Sequence, residues 1–307
     1  MKGLELTEKF FTAYGMPLLE DLFQSCRDRI AAGLVGDGSD CFGFDDELSQ
    51  DHDWGPGFCL WLTREDFETF GRDLAAAYGK LPGNFMGFSR KESAWGQDRV
   101  GVFEISAFYR TFTGYDHLPG NLDEWLSIPE NALAACTNGD VFYDPLGEFT
   151  RWRKYLLAFY PEDVRLKKIA SRCMTIAQSG QYNLARCLKR KDLFAAQYAE
   201  TKFCADVISL VFLINRRYPP FYKWMQRALS DLPRLGGSLS VMIAELVTTN
   251  DHACKINLVE EISASLIAAL REEGLSDADS DFLLDHGPRV QSRIQDDKLR
   301  QRNVWIG

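Results

Sequence analysis

Apolar positions change period several times along this chain, and each change predicts an element. Over residues 4–33 they recur every three or four positions, as at Leu19, Leu22, Phe23, Cys26 and Ile30, which is the spacing of one helical face. Two helices broken at Gly15-Met16-Pro17 are expected there. A compact apolar run, Phe58 to Leu62, follows between a Gly-Pro turn and charged residues, the pattern of a buried strand. Helical spacing returns over "REDFETFGRDLAAAYGKLPG". "RVGVFEISAFYRTFTG" is rich in β-branched and aromatic residues and reads as a longer strand, and "GDVFYDPLG" as a short final one. From about Phe149 onward only helical patterns follow, punctuated at Pro161, Gly180, Pro219-Pro220, Gly236-Gly237 and Gly274. The expected outline is an α/β (α+β) domain over residues 1–146 and an all-α helical domain over residues 147–307.

Composition leaves that outline standing. Of the 307 residues, 46% are hydrophobic and 26% charged, the balance of a globular chain long enough for two cores. A formal charge of −9 argues against long nucleic acid as a partner, because that binding rests on many Lys and Arg neutralising phosphates. The eight cysteines contain no C-x-x-C pair and are expected to be reduced, mostly buried thiols. The N-terminal "MKGLELTEKFFTAYG" lacks the apolar core and cleavage site of a signal peptide. The longest apolar run, Val207 to Ile214, is far short of the roughly 20 residues that span a bilayer. A soluble, cytoplasmic protein without a membrane partner is expected.

The candidate chemistry begins in "GDGSDCFGFDDELSQDHDW", where seven carboxylates lie within nineteen residues. Asp51 and Asp53 bracket His52. On a strand they would share one face, where two carboxylates repel unless a cation sits between them. Oxygen ligands in that arrangement suit Mg²⁺. Glu104, between Phe103 and Ile105 on a predicted strand, could supply a third carboxylate and let two ions flank a phosphoryl transfer; the alternative is a strand face open to water. Gly38-Ser39 meets the other requirement. Glycine admits a phosphate close to the backbone, and a turn entering a helix would offer free N–H groups to it. Neither a Walker loop nor a Rossmann fingerprint fits the segment, and as an EF-hand it puts Phe42 where the turn glycine belongs. Asp45, Asp46 and Glu47 are expected to be solvated loop charges, and His52 a packed residue.

Gly38-Ser39, a gap of eleven residues, Asp51-His52-Asp53 and a later Glu104 together resemble the signature of the nucleotidyltransferase superfamily of DNA polymerase beta type. Gly43 fits the glycine found after that serine in antibiotic and minimal nucleotidyltransferases. "SQDHDWGP" with the helical tail looks similar to the bacterial family named domain of unknown function 4037. The resemblance implies a small mixed sheet flanked by helices and a magnesium-dependent transfer of a nucleoside monophosphate, with ATP or another nucleoside triphosphate as donor. It implies that Gly38 and Ser39 hold phosphates, that Asp51, Asp53 and Glu104 hold two Mg²⁺ ions, and that Glu104 helps deprotonate an acceptor hydroxyl. The acceptor is expected to be a small molecule or a protein side chain.

In antibiotic-modifying relatives a helical domain closes the cleft. Here one helical stripe, Leu193, Ala196, Glu200, Phe203, Val207, Leu210 and Ile214, is apolar except for Glu200. That carboxylate either serves as a general base or is exposed or paired with a lysine. Lys202 either contacts nucleotide or pairs with Asp206 at i,i+4. Tyr222 and Lys223 either reach base and phosphate or belong to an aromatic packing cluster. Arg186, Lys189, Arg190 and Lys191 form a local basic patch, expected to be a solvated helix end. The favoured function is a magnesium-dependent nucleotidyltransferase. Its rival is a regulatory protein that binds nucleotide without turnover.

Overall fold

The computed structural model describes residues 1–51, 53–90 and 99–307, so His52 lies outside the described residues. The chain forms two compact units, Met1–Gly120 with Ala132–Ala158, and Asn121–Asn131 with Phe159–Gly307.

The first unit opens with α1 (Gly3–Phe10) and α2 (Met16–Leu22), joined without a break through a π-helical turn at Phe11–Gly15. Pro17 has no N–H to donate to the preceding turn, and the wider turn ahead of it accommodates the ring. The second expected helix stops at Leu22, and Ala31–Leu34 is instead strand β1. Strands β2 (Cys59–Leu62), β3 (Asn84–Phe85) and β4 (Phe88–Ser89) follow, with α3 (Arg64–Asp66) and α4 (Arg72–Tyr78) between β2 and β3. Then come β5 (Gly101–Glu104) and α5 (Ile105–Thr113) and, beyond α6 (Leu122–Ser127), which belongs to the second unit, α7 (Glu130–Thr137), β6 (Asp140–Tyr143) and α8 (Glu148–Leu157).

Four strands form a small mixed sheet in the order β5-β2-β1-β6. β1 runs antiparallel to both β2 and β6, whereas β2 and β5 are parallel. Both faces of β2 are buried, which explains its uninterrupted apolar run. Phe58, Leu60 and Leu62 pack with Phe10, Phe11, Leu18, Leu19 and Leu74. Trp61 faces the other way, stacked on Phe149 at 3.8 Å and edge-on to Phe108 at 5.5 Å. Each such side chain contributes about 1.5–3 kcal/mol on burial. Gly33 lets β6 approach β1, since a Cβ there would lie 2.3 Å from the Asp140 carbonyl oxygen.

The longer strand expected over "RVGVFEISAFYRTFTG" ends after four residues and gives way to α5. Glu104 caps that helix, its carboxylate accepting from the Ser106 and Ala107 amides at 2.9 and 2.7 Å. Gly114, at φ 80, closes it.

The second unit contains α6 and α9 (Glu162–Ile176), α10 (Ala185–Arg190), α11 (Leu193–Ile214), α12 (Tyr222–Leu229), α13 (Gly236–Thr248), α14 (His252–Glu272), α15 (Leu283–Gln291) and α16 (Asp297–Arg300). Among its described residues there is no strand, as the apolar pattern predicts. α9 packs against α11 and α15 and buries three cations, each with partners. Arg165 donates to the Leu213 carbonyl and pairs with Glu162 and Glu273. Lys167 donates to Gln291 and to the Asn303 carbonyl, both at 2.7 Å, and Lys168 lies 3.7 Å from Glu130. All eight cysteines are free, five of them buried. No helix among the described residues is long and apolar enough to cross a membrane.

Candidate functional site

The loop leaving β1 is organised around one cation. Arg99, just ahead of β5, donates to Asp40 at 2.7 Å and to the main-chain carbonyl of Asp53. Burial pulls the guanidinium's pKa down, but the neighbouring Asp40 carboxylate more than offsets this and the net shift is upward, so it stays charged. Gly38 lies directly beneath it. A Cβ at that position would be 2.0 Å from Nη2 of Arg99 and 2.3 Å from Oδ1 of Asp40. Arg99 therefore ties the Gly38-Ser39 turn to the Asp51–Asp53 segment across a long stretch of sequence.

The turn differs from expectation in one respect. Residues 39–43 form turns and lead into no α-helix; the Phe44 and Gly43 amides donate to the Ser39 and Asp40 carbonyls at 2.8 and 3.1 Å. No helix dipole points at Ser39. Its hydroxyl makes no hydrogen bond among the described residues.

Asp45 is buried rather than solvated. It accepts from the Gly3 amide at 2.7 Å and from Nε1 of Trp54 at 3.1 Å, and lies 3.5 Å from the Lys2 ammonium. It clasps the chain's start to the far end of the acidic loop. Asp46 and Ser49 form a reciprocal capping box on a 3-10 turn at Glu47–Gln50. Asp46 and Glu47 are exposed, as expected of loop charges, and Asp45 alone of this trio is buried.

Asp51 and Asp53 lie on a bend ahead of β2, not on a strand. Asp51 is exposed, and Asp53 is half-buried at φ 52. The alternation that would put both carboxylates on one strand face therefore does not apply. Glu104 stands where β5 becomes α5, and its two oxygens accept from two amides and from the Ser106 hydroxyl at 2.7 Å. Among the described residues no three His, Cys, Asp or Glu side chains form a group able to hold a metal ion. As arranged, Asp51, Asp53 and Glu104 do not fit a preformed metal cage.

A cavity of about 560 Å³ runs along β5 and α5. Phe67, Phe103, Phe108 and Phe112 line it, and its charged groups are Asp37, Arg99 and Glu104. Glu104 thus shares a cavity with the loop that carries Gly38. Asp37 and Arg99 escape a reading by motif: Asp37 sits unremarked between two glycines, and Arg99 gains meaning only from its tertiary partners.

The residues expected to matter in the helical half belong to the second unit. Glu200 pairs with Lys255, whose ammonium also donates to the Leu246 carbonyl at 2.9 Å. Lys202 pairs with Asp206 at 2.9 Å. Asp206 also lies 3.8 Å from Arg172, which bonds Ser209 and Glu130. Tyr222 is 75% exposed with its ring 4.3 Å from that of Phe221, and Lys223 lies 4.4 Å over Trp224. Glu200 and Lys202 thus make the pairing contacts of their alternatives, whereas Tyr222 and Lys223 are exposed beside neighbouring aromatic rings. Arg186, Lys189, Arg190 and Lys191 are exposed, as expected of a solvated helix end.

Residues 125–225, from α6 into α12, match the model of the family described as Domain of unknown function (DUF4037). No curated protein matches the chain. Among solved structures it is similar to the nucleotidyltransferase-like protein from Exiguobacterium sibiricum 255-15, at 12% identity over 87% of this chain and 76% of that one, with a TM-score of 0.36.

Proposed function

We propose that this protein is a nucleotidyltransferase that transfers a nucleoside monophosphate from a nucleoside triphosphate, ATP first among them, to a hydroxyl of a small molecule or a protein. The observation that carries the proposal is the Arg99 clamp. Through it, the Gly-Ser turn and the Asp-x-Asp segment meet beside a cavity that Glu104 also lines. Ser39 brings a hydroxyl with no intramolecular partner among the described residues, and Gly38 brings backbone against which a Cβ would force the Arg99–Asp40 pair to shift. Such a transfer asks the protein for positioning and charge complementarity rather than covalent chemistry. The acceptor oxygen bonds to the α-phosphorus, the bond to the β-phosphate oxygen breaks, and pyrophosphate leaves.

No step is routed through an ion held by the protein, because the carboxylates do not form a cage for one. The donor is proposed to enter as its magnesium complex, with Asp51 and Asp53 as the carboxylates it would meet. Glu200 and Lys202, each held by an opposite charge, are given no step, nor are the exposed Tyr222 and Lys223.

One observation favours a second reading, nucleotide binding without turnover: Glu104 is committed to capping α5. Two measurements separate the readings. A thermal-shift titration with each of the four ribonucleoside triphosphates, with and without Mg²⁺, reports binding; at a hundredfold excess over Kd a ligand stabilises by about 2.7 kcal/mol. The shift is expected to require Mg²⁺ and to vanish in Asp51→Asn with Asp53→Asn. Pyrophosphate release then reports turnover. No shift with any triphosphate defeats both readings, and a shift without pyrophosphate release leaves the binding protein.

A further inference from the structure

The aromatic cavity is poorly equipped for a polar ligand. Four phenylalanines line it, joined by Val35, Val102 and Ala107. Its few polar groups are largely occupied. The Gly36 amide donates to Asn138 at 3.0 Å and the Gly36 carbonyl accepts from Asn138 at 2.8 Å. The Thr111 hydroxyl donates to the Phe108 carbonyl at 2.7 Å. Glu104 accepts three hydrogen bonds, and Arg99 is shared between Asp40 and Asp53. Each sugar hydroxyl placed here would lose its water without gaining a partner, at a cost of about 1–3 kcal/mol on protein mutational scales. A flat apolar body meets no such penalty. At about 560 Å³ the cavity has the size and the mostly apolar lining of a small-molecule site.

Asp37 is the exception among the lining groups. It is exposed, it lies within the Gly36–Ser39 turn, and its carboxylate accepts no hydrogen bond among the described residues. Glu104 and Glu200, the carboxylates first considered as base, are both engaged elsewhere. Resting on the nucleotidyltransferase reading, we propose that this cavity is the acceptor subsite, that the acceptor is an alcohol with an aromatic body, and that Asp37 receives its proton. As the hydroxyl oxygen bonds to the α-phosphorus and pyrophosphate leaves, the hydroxyl proton passes to an Asp37 carboxylate oxygen and then to water. Although the residue as a whole is exposed, partial desolvation of its carboxyl where it lines the cavity pushes Asp37 upward against the opposing pull of Arg99, the direction that suits a base working near neutral pH.

Calorimetric titration of the full chain, without nucleotide, with naphthylmethanol and with glucosamine tests the cavity first. Naphthylmethanol is expected to bind and glucosamine not to. Thr111→Trp, which fills the space, should weaken the aromatic alcohol at least tenfold. Pyrophosphate release with the preferred triphosphate tests the chemistry. Naphthylmethanol should stimulate it, and Asp37→Asn should lower it about a hundredfold, the scale of a lost general base, with naphthylmethanol binding within about twofold of wild type. Stimulation by glucosamine and not by naphthylmethanol would overturn this inference while leaving the nucleotidyltransferase intact. Naphthylmethanol binding without pyrophosphate release from any triphosphate would remove the enzyme reading and, with it, the acceptor role. Full turnover in Asp37→Asn would remove Asp37 as the base.

Discussion

Arg99 and Asp40 are a nearly buried pair, and its geometry sets what substitutions there should do. Arg99→Ala leaves Asp40, among the described residues, with only the Cys41 amide, at 2.9 Å, as donor, a loss expected to cost about 3–5 kcal/mol. Arg99→Lys keeps a cation but loses the fork that reaches Asp40 and the Asp53 carbonyl together, so its cost should fall between wild type and Arg99→Ala in urea unfolding. Gly38→Ala pushes a methyl into the guanidinium and should cost about 1–3 kcal/mol, with the triphosphate shift abolished. Wild-type stability in Gly38→Ala would show that the clamp does not need the glycine. Legibility at this scale follows locality. Gly38, Ser39, Asp51 and Asp53 stand out because a short spacing carries the signal. Arg99 and Asp37 do not, since one depends on a partner 59 residues away and the other on a cavity. Asp45 misleads for the same reason: nothing local announces that Gly3 and Trp54 close over it.

At the scale of elements, α5 offers a clean test of whether Glu104 does more than cap. Glu104→Ala removes the acceptor for two amides and should destabilise the first unit by about 0.5–2 kcal/mol, whereas Glu104→Gln retains an acceptor oxygen and should unfold close to wild type. If pyrophosphate release also survives in Glu104→Gln, the side chain is structural; if it is lost at unchanged stability, the carboxylate acts in the chemistry. The helix itself shows why part of the fold is hidden from periodicity. Aromatic and β-branched residues dominate 99–114, yet the deciding signals are the carboxylate two residues before Ser106 and the closing Gly114. β1 is harder still. Ala-Ala-Gly-Leu carries no strand propensity, and only pairing on both sides makes it a strand. β2 and the helices beyond residue 148 were legible because burial on both faces of a strand, or one long helical stripe, writes itself into the apolar pattern.

Across the whole molecule, buried thiols couple stability to alkaline pH. Burial pushes Cys59, Cys136, Cys173 and Cys204 up to about 12, against about 8.5 in the unfolded chain. A raised folded-state value means that their contribution is complete below about 8.5 and is lost as pH climbs toward 12, at about 1.4 kcal/mol per pH unit for each thiol. Lys167, pushed down to about 8 by burial and then by Arg302, acts in the opposite sense between about 8 and its unfolded value near 10.4. Four thiols outweigh it, so unfolding free energy should fall between about pH 8.5 and 10, and Cys173→Ala should make the fall shallower. A slope unchanged by that substitution would refute the assignment. The claim on which the function rests is that Gly38-Ser39, Arg99 and Asp51–Asp53 make one triphosphate site. A crystal structure with a non-hydrolysable ATP analogue and Mg²⁺ tests it most directly. The terminal phosphates should lie on the Ser39 turn beside Arg99, with the ion toward Asp51 and Asp53. A triphosphate bound elsewhere, with that turn untouched, would contradict it.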